Sequence, residues 1–165
     1  MIKVIDNFLD TEDFNKIKGK MLGPTFPWYY TEGVIGETED LDIFQFIHIF
    51  WDHERGGKNS DYLIDLKPII DKISPKELYR IKANMTVRGE KIIENGWHTD
   101  YDKSSKFITA VFYLNTNDGY TILEDGTKVE SLENRFVMFD SDIMHSGSNC
   151  TNANIRSVIN FNYNI

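Results

Sequence analysis

The sequence has little cysteine, no long apolar run and no excess of positive charge, and each of these shortages excludes a class of protein. Cys150 is the single cysteine among 165 residues, so no intrachain disulfide can form and a reducing compartment is expected. The first residues lack the basic and then apolar pattern of a secretory signal. No apolar stretch approaches the roughly 20 residues of a membrane helix. We therefore expect a soluble, cytoplasmic protein with no membrane partner.

The charge of the chain bears on its partners. The formal net charge is −8, with 18 basic residues against 26 acidic ones. Proteins that bind nucleic acid usually carry a basic stripe, whereas the basic residues here are scattered along the sequence. This distribution argues against nucleic acid as a substrate. Hydrophobic residues make up 41% of the chain, which predicts a packed globular core.

The first 78 residues are predicted to form a support of short strands and helices. Alternating apolar residues indicate strands, and apolar residues at helical spacing indicate helices. Ser74-Pro75 has the form of a helix start, with serine as N-cap and proline at the first position. Strands are predicted at residues 1–9 and 43–50, an extended edge segment at 26–30, and helices at 10–21 and 60–73 with a break at Pro68.

After residue 78 the apolar pattern changes to a period of two. Short strand-like runs are separated by Gly, Asn and Asp turns, which favours a mainly β fold with N-terminal helices, a jelly roll or double-stranded β-helix of the cupin type. We expect a single domain over residues 1–165, in which residues 1–78 support a jelly-roll core at 79–165. Strands are predicted at residues 81–87, 107–114, 121–123, 128–131, 135–139 and 157–163.

Three residues in the second half suggest a metal site. His98 and Asp100 are two positions apart, so on an extended strand both side chains would project to the same face. His145 follows far downstream, in Met-His-Ser-Gly. Two imidazoles and one carboxylate that leave coordination positions open form the facial triad of non-haem Fe(II) oxygenases. Arg156 lies eleven residues beyond His145, in a strand-like run.

The order His98-x-Asp100, His145 and Arg156 resembles the 2-oxoglutarate/Fe(II)-dependent dioxygenase superfamily. The resemblance spans roughly residues 81–163, and short members of this kind are common in phages and bacteria. For a phage-encoded protein, the expected location is the cytoplasm of the host. Further local runs resemble the prolyl-4-hydroxylase-like branch, and these are Tyr113-Leu-Asn115, Gly119 to Gly126, and Asn134 to Asp140.

The resemblance implies an activity and a set of site residues. It implies Fe(II), 2-oxoglutarate as cosubstrate and O2, with hydroxylation of a substrate C–H bond and release of succinate and CO2. It also implies that Arg156 binds the far carboxylate of 2-oxoglutarate, for which its planar fork is suited. Tyr113 and Thr121 are implied as further contacts to that carboxylate. Asn84 and Thr86, on the polar side of the strand at 81–87, are candidates to line the pocket.

The sequence leaves the substrate and two other classes of function open. The resemblance favours a protein prolyl side chain, followed by a free amino acid or small metabolite. The aromatic stretch at 26–30 and the loop at 33–40 are expected to face the substrate, because such loops usually carry specificity. A cupin-like metal enzyme that does not use 2-oxoglutarate remains open, as does a non-catalytic jelly-roll binding module. The oligomeric state is not readable from the sequence.

Overall fold

The computed structural model describes residues 2–33, 44–101 and 107–165, and strands account for much of these ranges. The predicted strands of the second half are present, with ends that differ by a few residues. The strands are β1 (Ile2–Ile5), β2 (Tyr29–Glu32), β3 (Phe44–Asp52), β4 (Gly57–Lys58), β5 (Glu77–Val87), β6 (Ile108–Tyr113), β7 (Tyr120–Leu123), β8 (Lys128–Glu130), β9 (Phe136–Asp140), β10 (His145–Gly147) and β11 (Ile155–Asn164).

The described strands form two antiparallel sheets. The larger sheet has the order β1-β9-β6-β11-β5-β3-β2, with β4 beside β3, and the smaller has the order β10-β7-β8. Side chains alternate between the faces of each strand, so Val111 and Tyr113 of β6 pack towards Leu123 and Val129 of the smaller sheet. The intervening Phe112 packs on the opposite face. The expected double-sheet, mainly β fold is confirmed.

The helices cover the outer face of the larger sheet. Helix α1 (Thr11–Met21) begins at Asp10, whose carboxylate accepts a hydrogen bond from Asp13 N at 2.9 Å, as expected for an N-cap. Its buried residues, at helical spacing, join the core beneath the sheet. Helix α2 (Lys67–Ile73) follows a 3-10 helix at Asp61–Leu66, so the segment around Pro68 is not one continuous helix. Neither of the described α-helices has the length and apolar character required to cross a membrane.

Two local predictions are wrong. Ser74 does not start a helix, because it ends α2 in the left-handed region (φ 46°) and donates its N–H to Ile70 O. The backbone N–H of Lys76 then donates to Asn164 O, which draws the chain into the sheet. His98 and Asp100 do not lie on a regular strand either, since His98 makes only an isolated bridge to His145. Most of the loop predicted at 33–40 lies outside the described residues.

Candidate active site

His98, Asp100 and His145 come together as the sequence predicts. One ligand atom from each lies within 4.8 Å of the others, an arrangement that could hold a metal ion. The backbone positions the two histidines, because His98 N donates to His145 O at 3.1 Å and His145 N donates to His98 O at 2.9 Å. Their ring centroids are 4.4 Å apart. The isolated bridge therefore aligns the two histidines, whereas the expected strand would have aligned His98 with Asp100.

Each imidazole is oriented by a carbonyl two residues earlier in the chain. His98 Nδ1 lies 3.2 Å from Gly96 O, and His145 Nδ1 lies 3.0 Å from Ile143 O. A carbonyl oxygen only accepts hydrogen bonds, so both contacts place the proton on Nδ1. The Nε2 lone pairs are then available for a metal, and such outer partners are typical of metal-ligating histidines.

The carboxylate of Asp100 is held by three side chains. Its Oδ2 accepts hydrogen bonds from Thr109 Oγ1 at 2.6 Å and from Asn162 Nδ2 at 2.8 Å. Its Oδ1 accepts from Arg80 Nη2 at 2.9 Å and lies 3.9 Å from His98 Nε2. Because Oδ2 already has two donors, Oδ1 is the oxygen that faces the position between the histidines. A carboxylate oxygen has a second lone pair, so Oδ1 can bind a metal while it accepts from Arg80.

Electrostatics favour the protonation states that a metal requires. Burial raises the pKa of the Asp100 carboxyl, but Arg80, His145 and the hydrogen bonds from Thr109 and Asn162 outweigh burial, and the pKa is lowered. Burial lowers the pKa of His145, against the opposing effect of Asp100. An ionised carboxylate beside a neutral imidazole is the donor set that Fe(II) binds in facial-triad sites.

Arg156 is a buried cation without a carboxylate partner. Its side chain crosses from β11 to the smaller sheet, where Nε donates to Ser131 Oγ at 2.8 Å and Nη2 donates to Thr121 Oγ1 at 3.2 Å. No Asp or Glu among the described residues lies within 4 Å of its guanidinium. Burial lowers the pKa of Arg156, which reflects the cost of keeping the charge there. The guanidinium is therefore able to bind an anionic ligand.

Tyr113 and Thr121 belong to the surroundings of Arg156. Tyr113 OH donates to Thr121 Oγ1 at 2.8 Å, and the guanidinium carbon of Arg156 lies 5.6 Å from the Tyr113 ring centroid. Gly119 is required nearby, because a Cβ there would lie 2.6 Å from Arg156 Cδ and 2.4 Å from Asn149 O. Tyr113 is fully buried and does not line the cavity, so its hydroxyl orients Thr121.

A cavity of about 310 Å³ joins the triad to Arg156, and it lies between the two sheets. Asn84 and Thr86, the two residues named from the sequence as candidates to line a pocket, line it together with Thr121. Asn84 Oδ1 and Thr86 Oγ1 are buried without a hydrogen-bond partner in the described structure. Buried polar atoms of this kind are normally satisfied, which indicates that a polar ligand belongs in the cavity.

The sequence reasoning did not identify several residues of the site. Arg80, Thr109 and Asn162 hold Asp100, and Ser131 holds Arg156. A signal was present for one of them, since Thr109 interrupts the otherwise apolar start of β6. The register that pairs Asn162 with both Thr109 and Arg80 could not be read from the sequence.

Comparison with known proteins extends the description of the fold. No protein-family model and no curated protein sequence matches the chain. Among solved structures, the chain is similar to a prolyl hydroxylase from Trichoplax adhaerens that was solved in complex with a hypoxia inducible factor oxygen degradation domain peptide fragment. The TM-score is 0.72 and the sequence identity is 14%, and the match covers 99% of this chain and 83% of that one. A 2OG-Fe(II) oxygenase family oxidoreductase from Burkholderia pseudomallei has a TM-score of 0.66 and 14% identity over 98% and 84% of the two chains.

A third similar structure is a prolyl-4-hydroxylase from Pseudomonas putida, with a TM-score of 0.61 and 16% identity over 99% of this chain and 92% of that one. At these identities the similarity establishes the fold. The chain has the jelly-roll fold of 2-oxoglutarate/Fe(II) oxygenases, including prolyl hydroxylases.

Proposed function

We propose that the protein is a 2-oxoglutarate- and Fe(II)-dependent dioxygenase that hydroxylates a substrate C–H bond and releases succinate and CO2. The observation that carries this proposal is the buried Arg156, which lacks a carboxylate partner among the described residues and opens into the same cavity as the triad. A cupin-like metal enzyme without a dicarboxylate cosubstrate would give this cation no ligand. A binding module without metal would leave the triad unexplained.

The residues present fit both groups. His98 Nε2, His145 Nε2 and Asp100 Oδ1 supply a two-histidine, one-carboxylate donor set that leaves one face of the metal open. Arg156, with Thr121 beside it, supplies charge-assisted donors for the distal carboxylate of 2-oxoglutarate. When bound, Fe(II) with 2-oxoglutarate supplies the activation of O2 that hydroxylation requires.

The chain itself contributes orientation, charge and exclusion of water. Thr109 and Asn162 fix the Asp100 carboxylate, so that one oxygen faces the metal position. Arg156 fixes the far end of the cosubstrate and so determines how its other end reaches the metal. The walls contributed by the two sheets limit the water that reaches the reacting atoms.

For the substrate, a prolyl or other side chain of a peptide and a free amino acid are the candidates. The Trichoplax adhaerens structure, in complex with a peptide fragment, supports the first by analogy of fold. Tyr29 and Tyr30, in the aromatic stretch expected to face the substrate, are each 60% exposed on β2, but they project to opposite faces of the strand and do not line the cavity. The single, buried Cys150 supports action in the reducing cytoplasm.

We also infer that residues 1–78 act as a support for the core at 79–165. Strand β1 pairs with β9, and β3 pairs with β5, so the first part of the chain completes the larger sheet on both sides. Helix α1 then covers the sheet's outer face.

The test is the visible absorption of the anaerobic protein with Fe(II), before and after addition of 2-oxoglutarate. We expect a weak charge-transfer band to develop in the wild type when 2-oxoglutarate is added. In Arg156→Met, the same band should develop only at a much higher concentration of 2-oxoglutarate. Lys76→Gln, an exposed site, is the matched control. If metal-loaded wild type develops no band, the proposal is wrong.

A further inference from the structure

A second cation in the cavity is also without an anionic partner. Lys82 lies on β5 and lines the cavity that contains the triad. Among the described residues, no hydrogen-bond acceptor is within bonding distance of its ammonium and no carboxylate lies within 4 Å. Burial, then the charge of Arg80, lower the pKa of Lys82 to about 8, while Asp100 acts in the opposite direction and Arg55 lowers it further. The side chain therefore lies in an environment that disfavours its charge.

Arg80, in contrast to Lys82, has an anionic partner. Its Nη2 donates to Asp100 and its Nε donates to Asn162 at 3.1 Å, so it is part of the support of the triad. Lys82 is two residues further along the same strand and projects to the same face. The unpaired ammonium consequently belongs to the same cavity as the triad without being used to hold the triad.

The register separates Lys82 from Arg156, the residue assigned to the distal carboxylate of 2-oxoglutarate. Arg156 pairs with Thr86, whereas Asn160, four residues further along β11, pairs with Lys82. Four residues of a strand span about 13 Å. The distal carboxylate of a 2-oxoglutarate that is held by Arg156 is therefore out of reach of Lys82. Asn84 lies between these two positions and has its buried Oδ1 unpaired.

The balance of charge points to the missing partner. The described residues that line the cavity contribute three cationic side chains, Arg80, Lys82 and Arg156, against the single carboxylate of Asp100. Fe(II) and the dianion of 2-oxoglutarate cancel each other, so the loaded cavity still carries an excess of positive charge. The chain as a whole has a net charge of −8, so this excess is confined to the site.

We propose that Lys82 is a specificity-determining residue that binds a carboxylate of the substrate, so that the enzyme hydroxylates a carboxylate-bearing molecule. The inference rests on the proposed function and names the substrate class of the same site. The carboxylate belongs either to a free amino acid or to an acidic side chain of a peptide. Asn84 Oδ1, on the same face of β5, then accepts from an N–H group that either source offers.

Chemical labelling of Lys82 tests this with simple carboxylates in place of the full substrate. The full chain, held anaerobic with Fe(II) and 2-oxoglutarate, is treated briefly with N-acetoxysuccinimide, and acetylation is mapped by mass spectrometry. L-Proline and L-prolinamide form one pair of competitors, and blocked glutamate (N-acetyl, C-terminal amide) and blocked glutamine form the other. We expect one or both carboxylates to slow the labelling of Lys82, the amides to have no effect, and exposed Lys76 to be labelled equally throughout.

Protection by proline alone would identify a free amino acid, and protection by blocked glutamate alone an acidic side chain. Equal labelling of Lys82 in all samples, or equal protection by amides, would overturn the inference. The charge-transfer band is recorded on the same samples. A band without protection contradicts only the role of Lys82, whereas absence of the band contradicts the proposed function itself.

A variant completes the test. Lys82→Gln keeps a polar side chain but removes the charge, and we expect it to weaken binding of the protecting carboxylate by about 10- to 100-fold. The band with 2-oxoglutarate should be unchanged, because Lys82 touches neither the triad nor Arg156. Lys76→Gln should bind as the wild type does. A Lys82→Gln variant with undiminished carboxylate binding would refute the assignment.

Discussion

Replacement of Arg156 by Met separates a ligand-binding role from a structural one. The guanidinium is buried, donates to Ser131 and Thr121, and has no carboxylate partner among the described residues. Met keeps much of the apolar stem and removes the charge. The two lost hydrogen bonds, each worth about 1 kcal/mol, are offset by relief from burying an unpaired charge. We therefore expect the free energy of unfolding without ligand to change by no more than about 1 kcal/mol.

The effect on the loaded protein should be much larger. Two charge-assisted hydrogen bonds to the distal carboxylate of 2-oxoglutarate, at roughly 1.5 kcal/mol each, correspond to a loss of about 100-fold in affinity. At a concentration of 100 times the wild-type Kd, 2-oxoglutarate stabilises the wild type by about 2.7 kcal/mol. The same concentration would stabilise Arg156→Met by only about 0.4 kcal/mol.

Urea unfolding at a constant Mn(II) concentration, with and without 2-oxoglutarate, measures the stability of the unliganded protein and the stabilisation by 2-oxoglutarate, and it does so without turnover. Arg156→Lys, which keeps the charge but not the planar fork, should lie between the wild type and Arg156→Met. Equal stabilisation of all three proteins by 2-oxoglutarate would refute the assigned role. A loss of several kcal/mol in the unliganded Met variant would instead show that Arg156 serves the fold.

Three further results are expected. Thr109→Val removes a hydrogen-bond donor to Asp100 Oδ2 and should weaken Fe(II) binding by about 10- to 100-fold in a metal titration. An unchanged Fe(II) affinity would contradict the proposal that Thr109 orients the carboxylate. Gly119→Ala should lower the free energy of unfolding, measured in urea, by about 1–3 kcal/mol, because the new Cβ would lie 2.6 Å from Arg156 Cδ. Gly19→Ala, whose new Cβ would have nothing within 4 Å, should raise the free energy of unfolding by about 0.5–1 kcal/mol. The opposite order of stabilities would be inconsistent with the packing. Hydrogen bonds from Thr151 lower the pKa of exposed Asp118 below 3.8, so its contribution is present above pH 3.8 and disappears as the pH falls through the lowered pKa. Asp118→Asn should therefore be less stable than the wild type at pH 7 by under about 1 kcal/mol and should lose less on acidification, and parallel pH profiles would argue against this contact.

The reactive residues were predictable because their types and order carry the chemistry. His98, Asp100 and His145 lie close enough together to hold a metal ion, and their types match the two-histidine, one-carboxylate donor set of a known kind of site. That prediction did not require the correct local structure. The isolated bridge aligns the two histidines, and the ligand atoms of all three residues lie within 4.8 Å of one another without a regular strand at residues 98–100.

The supporting residues were not predictable, because their contacts depend on how the strands pack around Asp100 and Arg156 and not on their spacing in the sequence. Asn162 reaches Asp100 across 62 positions, and Thr109 reaches it across nine. In the sequence, Lys82 is one polar residue of an alternating strand. It could not be assigned to a cavity, because polar residues that face a cavity and polar residues that face solvent give the same alternating pattern. Short β10 was missed, because its residues His-Ser-Gly contain no apolar side chain that could show alternation.

The passage of Arg156 from one sheet to the other has a consequence for the choice among keto diacids. The register of β11 with β5 and the hydrogen bond to Thr121 hold the guanidinium at a set separation from the triad. A diacid must match that separation to engage the metal and the guanidinium at once. Oxaloacetate is one carbon shorter than 2-oxoglutarate and 2-oxoadipate is one carbon longer, so neither should replace it. On the proposed function, the sheet pairing would thereby select the length of the cosubstrate.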